Sequence, residues 1–335
     1  MEASNKSAPT RPVDGGGAVT VPELHVPFSM FASEIARAHF VKGAEAAPQS
    51  ADIGVLREHY GRFNDALAGE MLAKYAVDVR EEKLGGVSVH RVTPQALRGA
   101  APKRGLLINF HGGGFMWGAG SGALVEAIPI AIAANTTVIT VDYRLAPEHI
   151  FPAAVEDACA VYEAALADHA PDSIGLYGCS AGGVLTAQTI ARLHKHKRPL
   201  PGAAIMLGGA GSDFGGDSGY VANPLVGAPP APPLAFASLP YFKDADPDDP
   251  LAIPDRDSAT LAAFPPSLLM SSTRDFAASS VCYFHRRLLD HGVDARLVMF
   301  DGLWHAWQIF CNLPESEETY RIMANFFTRT LRLGE

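Results

Sequence analysis

The sequence predicts an α/β architecture in which a mainly parallel sheet is covered by helices on both faces. Three observations predict it. From residue 105 onward, short β-rich runs alternate with longer segments of helical apolar periodicity. The runs are apolar at almost every position, as strands buried on both faces must be. The chain of 335 residues, 48% hydrophobic and 19% charged, is long enough for one large core with an accessory part.

Residues 1–22 carry Gly, Pro, Ser and charge without periodicity and read as a flexible tail. The run Gly15-Gly16-Gly17 has no strand before it that would make it a phosphate loop. From about 27 to 75, apolar residues recur at three-to-five spacing: Phe31, Ile35 and Phe40, then Val55, Tyr60, Phe63, Leu67 and Met71. That spacing predicts two or three short amphipathic helices, and residues 23–75 are expected to form a helical cap segment. Residues 75–80 and 87–92, separated by Gly85-Gly86, read as a strand pair. Strands follow at 105–110, 137–143, 173–177, 203–207, 267–271 and 295–300. Helices are expected between them at 123–134, 154–168, 181–196 and 277–291, with a last one from about 316 to 333. The core thus comprises 76–208 and 265–335. The alternation fails once, over 209–264, which is too long for an ordinary connection and rich in proline (Pro229, Pro230, Pro232, Pro233, Pro250, Pro254). This insertion and the N-terminal helices are expected to form a lid over the carboxyl ends of the strands.

Composition excludes several functions. The net charge of −9 has the wrong sign for holding nucleic acid, and the one basic cluster, 194–198, falls where a helix should end and reads as a solvated terminus. The four cysteines, Cys159, Cys179, Cys282 and Cys311, form no C-x-x-C pair, so neither a zinc site nor a disulfide framework is expected. No basic start followed by an apolar stretch marks a signal peptide. The most apolar region, 123–141, is broken by Glu126 and Pro129, so no membrane span is expected and the protein is placed in the cytoplasm.

Chemistry concentrates at Gly178-Cys179-Ser180-Ala181-Gly182, which follows one predicted strand and opens the next predicted helix. A bare G-x-S-x-G would occur by chance about 0.2 times in such a chain, so the strand-to-helix context carries the argument. The turn strains the nucleophile, and flanking glycines avoid Cβ clashes while the hydroxyl projects from the sheet edge. His111-Gly112-Gly113-Gly114-Phe115 follows directly after another strand, where bare glycine N–H groups can aim at a developing oxyanion. A serine nucleophile needs an imidazole base held by a carboxylate. Chain order puts the acid just past a strand and the histidine past the next, which selects Asp275 and His305. Asp301 and Asp290 are the alternative acids, although Asp290 falls in a helix and Asp301 stands only four residues from His305. His285 and His291 fall in or at the end of a helix, and His149 precedes the elbow. Gly216-Asp217-Ser218-Gly219 echoes a protease motif but is followed by Tyr220 and reads as a turn. Cys179 is expected to be a packed small hydrophobe.

With these motifs the chain resembles the bacterial hormone-sensitive-lipase-like (family IV) esterases of the α/β-hydrolase superfamily, from about residue 76 to the C-terminus. Asp142-Tyr143-Arg144-Leu145-Ala146-Pro147-Glu148, followed by Phe151-Pro152-Ala153-Ala154, looks like that family's loop after the fourth strand. The resemblance implies hydrolysis of short- to medium-chain carboxylic esters through an acyl-enzyme, without a cofactor or metal. It places Ser180, Asp275 and His305 in a triad, with the N–H groups of Gly113, Gly114 and Ala181 as oxyanion donors, and implies a mainly helical cap and a homodimer. Phe115 and Trp117 are expected to shape the pocket for a small-molecule ester, and at least one of Trp304 and Trp307, which bracket His305, to line it, a core aromatic being the other reading. The chain departs from the family at Cys179, where Asp is common, at Asp275-Phe276-Ala277, where D-P-L is usual, and at His305-Ala306-Trp307, where H-G-F is usual. A lactone hydrolase, an amide or acetyl hydrolase and a non-catalytic small-ligand receptor are the rival readings. The plant gibberellin receptors resemble this family but lack the catalytic histidine.

Overall fold

A computed structural model describes residues 14–21, 25–43, 50, 52–99 and 105–333. Most of the expected tail, 1–13 and 22, lies outside the described residues. The first helices are α1 (Glu34–Gly43) and α2 (Ile53–Lys74), the second longer than the short helices expected. Asp52 caps α2, its carboxylate accepting from the N–H groups of Gly54 and Val55 and so satisfying two otherwise orphaned donors.

A hairpin of β1 (Val77–Leu84) and β2 (Val87–Pro94) turns at Gly85-Gly86. Then follow β3 (Leu106–Phe110), α3 (Ser121–Ala134), β4 (Thr137–Val141), α4 (Ala153–Ala165), β5 (Ile174–Cys179), α5 (Ala181–Lys195) and β6 (Ala203–Leu207). The basic cluster sits at the exposed end of α5, with Arg198 paired to Glu163 at 3.1 Å.

Beyond the insertion, which carries α6 (Asp217–Leu225) and α7 (Ser258–Ala262), come β7 (Ser267–Arg274), α8 (Ala278–Asp290), β8 (Ala295–Trp304) and α9 (Pro314–Leu331). The eight strands form one sheet in the order β1-β2-β4-β3-β5-β6-β7-β8, antiparallel at β1/β2 and β2/β4 and parallel elsewhere. The inner strands β3, β5 and β6 are buried at every residue, as their unbroken apolar sequences require.

One face of the sheet packs on α4, α5 and α8 through Val155, Val184, Leu185, Val281 and Phe284. The other packs on α2, α3 and α9 through Met71, Val125, Ile128, Met323 and Phe327. Strands β4 and β5 lie on opposite sides of β3, so the chain leaves β3 and β5 in diverging directions. Divergence of this kind opens a crevice at the carboxyl ends of strands, where both glycine-rich motifs stand. Among the described residues, no helix is long and apolar enough to cross a membrane.

The insertion divides into two parts. Its first helix, α6, begins at the Gly216–Gly219 segment, so the turn expected there is instead the start of a helix: Gly216 takes φ 76° and the chain coils from Asp217. The later part joins the core, with Phe236, Tyr241, Phe242, Ala252, Ile253 and Leu261 buried. The aromatic rings explain the difference from a simple lid, because Tyr241 stacks on Phe115 at 4.1 Å and Phe242 on Phe236 at 4.6 Å.

Arg274, at the end of β7, gathers the outer segments. It donates to the carbonyls of Leu225 (3.1 Å) and Pro27 (2.9 Å), and its guanidinium lies over the rings of Phe28 and Phe40.

Candidate active site

Ser180 sits between β5 and α5 at φ 57°, ψ −122°, a backbone conformation that costs a non-glycine residue about 1–3 kcal/mol. Its N–H donates to Leu207 O on β6 at 2.7 Å, and its carbonyl accepts from Val184 N, which together hold the strained turn. The start of α5 approaches β3 so closely that a Cβ on Gly182 would lie 1.8 Å from Phe110 O. Cys179 is buried in the cluster that includes Val125, Tyr177 and Leu207, whereas Ser180 is half-buried, and burial pushes the Cys179 thiol well above the ordinary range. Its packing accords with the small-hydrophobe expectation.

Facing the elbow is the loop after β3. His111 is buried, stacks on Tyr143 at 4.2 Å and donates from Nδ1 to Gly112 O at 2.7 Å; burial lowers its pKa. The loop turns through positive φ at Gly113 (111°), Gly114 (60°) and Phe115 (63°). Gly113 O accepts from the N–H groups of Met116 and Trp117. The N–H groups of Gly113, Gly114 and Ala181 donate to no acceptor among the described residues.

The third part comes from the ends of β7 and β8. Asp275 is fully buried, and its Oδ1 accepts from His305 Nδ1 at 2.7 Å and from Ala277 N at 2.9 Å. Its Oδ2 accepts from the Ser271 hydroxyl at 2.8 Å. Burial alone would raise the carboxyl, but the neighbouring His305 and these hydrogen bonds outweigh it and hold the group below the usual carboxylate range.

Gly208 and Gly209, just past β6, lie between this pair and the elbow. A Cβ on Gly208 would stand 2.9 Å from both Asp275 Oδ2 and His305 Cε1, and one on Gly209 would stand 2.2 Å from Ser180 O. Two adjacent glycines therefore let the His–Asp pair and the serine turn close on one strand end. The Ser180 hydroxyl makes no hydrogen bond among the described residues, an open geometry common in unliganded sites. The other acids lie elsewhere: Asp301 bonds Ser29 and Thr273, and Asp290 ends α8.

The four aromatic residues expected at the pocket separate. Phe115 and Trp307 are each 1% exposed, so they belong to the core and cannot line an open pocket. Phe115 is turned inward by its positive φ onto Tyr241. Trp307 is swung inward by Ala306 at φ 61°, and its indole N–H donates to Thr319 Oγ1 at 3.1 Å. Trp117 and Trp304 are half-buried, the first stacked on Tyr60 at 4.5 Å and the second parallel to His39 at 5.5 Å.

Sequence reasoning missed Glu126, which reaches from α3 to the backbone of both motifs. It also missed Phe276, whose ring lies 4.4 Å from His305. The signal for Glu126 was its being the one charged residue in an otherwise apolar helix. Arg57 of α2 ties that helix to the site by donating to Met116 O and Ala146 O and to the Glu148 carboxylate. Among the described residues, no group of three or more His, Cys, Asp and Glu side chains is placed to hold a metal ion.

Residues 107–309 match the family model described as the alpha/beta hydrolase fold. The chain belongs to that family. An acetyl-hydrolase of Streptomyces hygroscopicus is 27% identical over 247 residues, covering 73% of this chain and 82% of the relative. The crystal structure of an esterase superposes with a TM-score of 0.79 at 28% identity, covering 94% of this chain and 99% of that one. The structure of an esterase from the bacterial hormone-sensitive lipase family gives 0.75 at 25% identity, covering 90% and 99%.

Proposed function

We propose that this α/β-hydrolase is a serine carboxylesterase that cleaves short- to medium-chain esters through an acyl-enzyme. The observation that carries the reading is the 2.7 Å hydrogen bond between His305 and buried Asp275, packed through Gly208 and Gly209 against the strained turn of Ser180. Donating from Nδ1 to Asp275 leaves His305 Nε2 as the free acceptor. Nε2 takes the Ser180 proton as Oγ attacks the ester carbonyl, and the N–H groups of Gly113, Gly114 and Ala181 receive the oxyanion. Collapse expels the alcohol, which takes the proton from His305. Water, deprotonated by the same nitrogen, then attacks the acyl-enzyme and releases the carboxylic acid with Ser180 restored. The esterases and the acetyl-hydrolase among its relatives support an ester substrate, and the acetyl-hydrolase favours a small acyl group. Segments 25–43 and α6, held at the sheet's carboxyl end by Arg274, form the cap together with α2, and Trp117 and Trp304 shape the pocket beneath it.

The test is turnover of p-nitrophenyl esters from acetate to laurate by the wild type and by Ser180→Ala. The expected result is turnover that falls beyond medium chains and drops by about a million-fold in kcat in the folded variant. Activity retained in Ser180→Ala would refute the mechanism. Absent turnover with tight binding of a small apolar ligand would favour a receptor.

A further inference from the structure

Glu126 is the one charged side chain of α3, and it points to backbone rather than to a counter-ion. Its Oε1 accepts from Gly112 N at 2.8 Å, and its Oε2 accepts from Cys179 N at 3.2 Å and from Asn109 Nδ2 at 3.3 Å. Asn109 is itself fixed, because its Oδ1 accepts from Thr140 Oγ1 at 2.7 Å. One carboxylate therefore spans the residue before the open oxyanion donors and the residue before the nucleophile. Gly112 and the elbow are close enough that a Cβ on Gly112 would lie 3.1 Å from Cys179 O and 3.5 Å from Ser180 Cβ. Among the described residues Glu126 pairs with no Lys or Arg. A neutral side chain could fill the same space without the cost of a buried charge.

We propose that Glu126 is a positioning residue of the hydrolytic site, whose ionised carboxylate clamps the oxyanion loop to the nucleophile elbow and favours the imidazolium that His305 becomes during turnover. The inference rests on the esterase reading above. Two donors converge on the clamp from chain segments 67 residues apart, and only a carboxylate offers both oxygens as acceptors. A glutamine would present one carbonyl and turn its NH2 group toward the remaining N–H.

Burial pushes the Glu126 carboxyl up to about 7, while the donors on Gly112, Asn109 and Cys179 and the nearby His305 pull the other way. A negative charge near the imidazole stabilises the positive charge it takes on during turnover. The other titratable groups around it are Cys179 and Tyr177 of β5, Tyr143 after β4, His111 after β3 and Tyr320 of α9. All four of the thiol and phenol groups are pushed well above their ordinary values by burial, and burial lowers His111. From α2, Asp65 is engaged by Ser121 at the start of α3. The thiol and the three phenols therefore stay neutral across the acid limb of the rate profile, where Glu126 acts.

The experiment is the pH dependence of kcat/KM for p-nitrophenyl acetate hydrolysis by wild type, Glu126→Gln and Glu126→Asp. A general base must be unprotonated to act and full activity needs Glu126 ionised, so the acid limb of log kcat/KM in the wild type is expected to be steeper than unit slope. In Glu126→Gln the slope should return to one, with kcat lower by about 10- to 100-fold and KM within about threefold of wild type. Glu126→Asp, which keeps a carboxylate, should restore the steep limb. A wild-type limb of unit slope, or a steep limb that survives in Glu126→Gln, overturns the proposal. The wild-type profile decides the matter even if the glutamine variant does not fold. Lack of any turnover removed by Ser180→Ala would overturn the esterase reading itself, so the two failures are distinguishable.

Discussion

Replacing Asp275 by Asn tests the triad at its least accessible member, and the local hydrogen bonds set the size of the effect. In many serine triads the amide turns its NH2 toward the histidine, enforces the wrong tautomer and lowers kcat by about ten-thousand-fold. Here the surroundings oppose that flip. Two donors, His305 Nδ1 and Ala277 N, converge on Oδ1, whereas Oδ2 faces only the Ser271 hydroxyl. An asparagine with its carbonyl at the Oδ1 position keeps both of those bonds, and its NH2 donates to Ser271 once that hydroxyl rotates. The tautomer survives, and only the negative charge is lost.

Exchanging a charge-assisted bond for a neutral one costs about 1–2 kcal/mol, and losing a unit charge about 4 Å from the imidazolium at an effective dielectric of 20 costs roughly 4. These are two views of one interaction and do not add, so the expected loss is about 1–4 kcal/mol of transition-state stabilisation, or roughly 5- to 1,000-fold in kcat at nearly constant KM. Steady-state kinetics on p-nitrophenyl acetate at mildly alkaline pH measures it, with Asp275→Ala as the control that loses more. A loss of about ten-thousand-fold or greater in Asp275→Asn would show that the amide flips and that Ala277 and Ser271 do not govern its orientation. A loss below about threefold would remove Asp275 from the triad and return Asp301 to consideration.

Gly182→Ala should destabilise the fold by about 3 kcal/mol or more in denaturant unfolding, although alanine is the better helix former by about 1 kcal/mol, because the added Cβ would meet Phe110 O at 1.8 Å. A neutral or stabilising effect would refute the close approach. Trp307→Ala should cost about 3–5 kcal/mol of stability with KM unchanged, whereas Trp304→Ala should shift KM by about threefold or more at a smaller stability cost, as their different burial requires. For Glu126 the folded carboxyl lies above its unfolded value of 4.5, so the native state binds its proton more tightly. The stability associated with that proton is fully present below about pH 4.5 and is lost as pH rises toward about 7, by at most about 3 kcal/mol. Relative to wild type, Glu126→Gln should accordingly gain stability between pH 5 and 8 in urea unfolding, and a pH-independent difference would contradict the shift.

Eight strands were legible, the first two from the Gly85-Gly86 turn between β-rich runs and the others because their runs are mostly apolar and turn residues bound them. The carboxyl ends of β3 and β6 fall where expected, but those of β7 and β8 do not. β7 continues three residues beyond the expected 271 and β8 four beyond 300, through polar residues such as Thr273 and Asp301 that hydrogen-bond each other across the sheet. The site residues Ser180, Asp275 and His305 stood out because strand-to-loop junctions locate them, and the structure brings the latter two together as chain order requires. The pocket aromatics were harder to read. Trp304 and Trp307 look alike in sequence, and it is the left-handed turn at Ala306 that sends one inward. The insertion misled for a related reason: its prolines mark irregular backbone, but the fate of Phe236, Tyr241 and Phe242 depends on rings contributed by the loops after β3 and β4. Glu126 left only a compositional trace, since its partners are backbone amides 14 and 53 residues away and no periodicity encodes them.

Two carboxylates flank the elbow, and burial acts on both in the same direction. Their partners separate them. Asp275 has an imidazole and two further donors and stays below the usual carboxylate range, so it is ionised in the neutral range and able to hold His305 in one tautomer there. Glu126 has only neutral donors in direct contact and titrates near neutrality. When environments drive two like groups apart in this way, their roles divide. In the proposed mechanism the low group orients the base, while the high group supplies its charge only as the pH rises. On this proposal the geometry of the loop after β3 depends on pH through one side chain whose hydrogen bonds go to the backbone beside the nucleophile and beside that loop's open N–H groups.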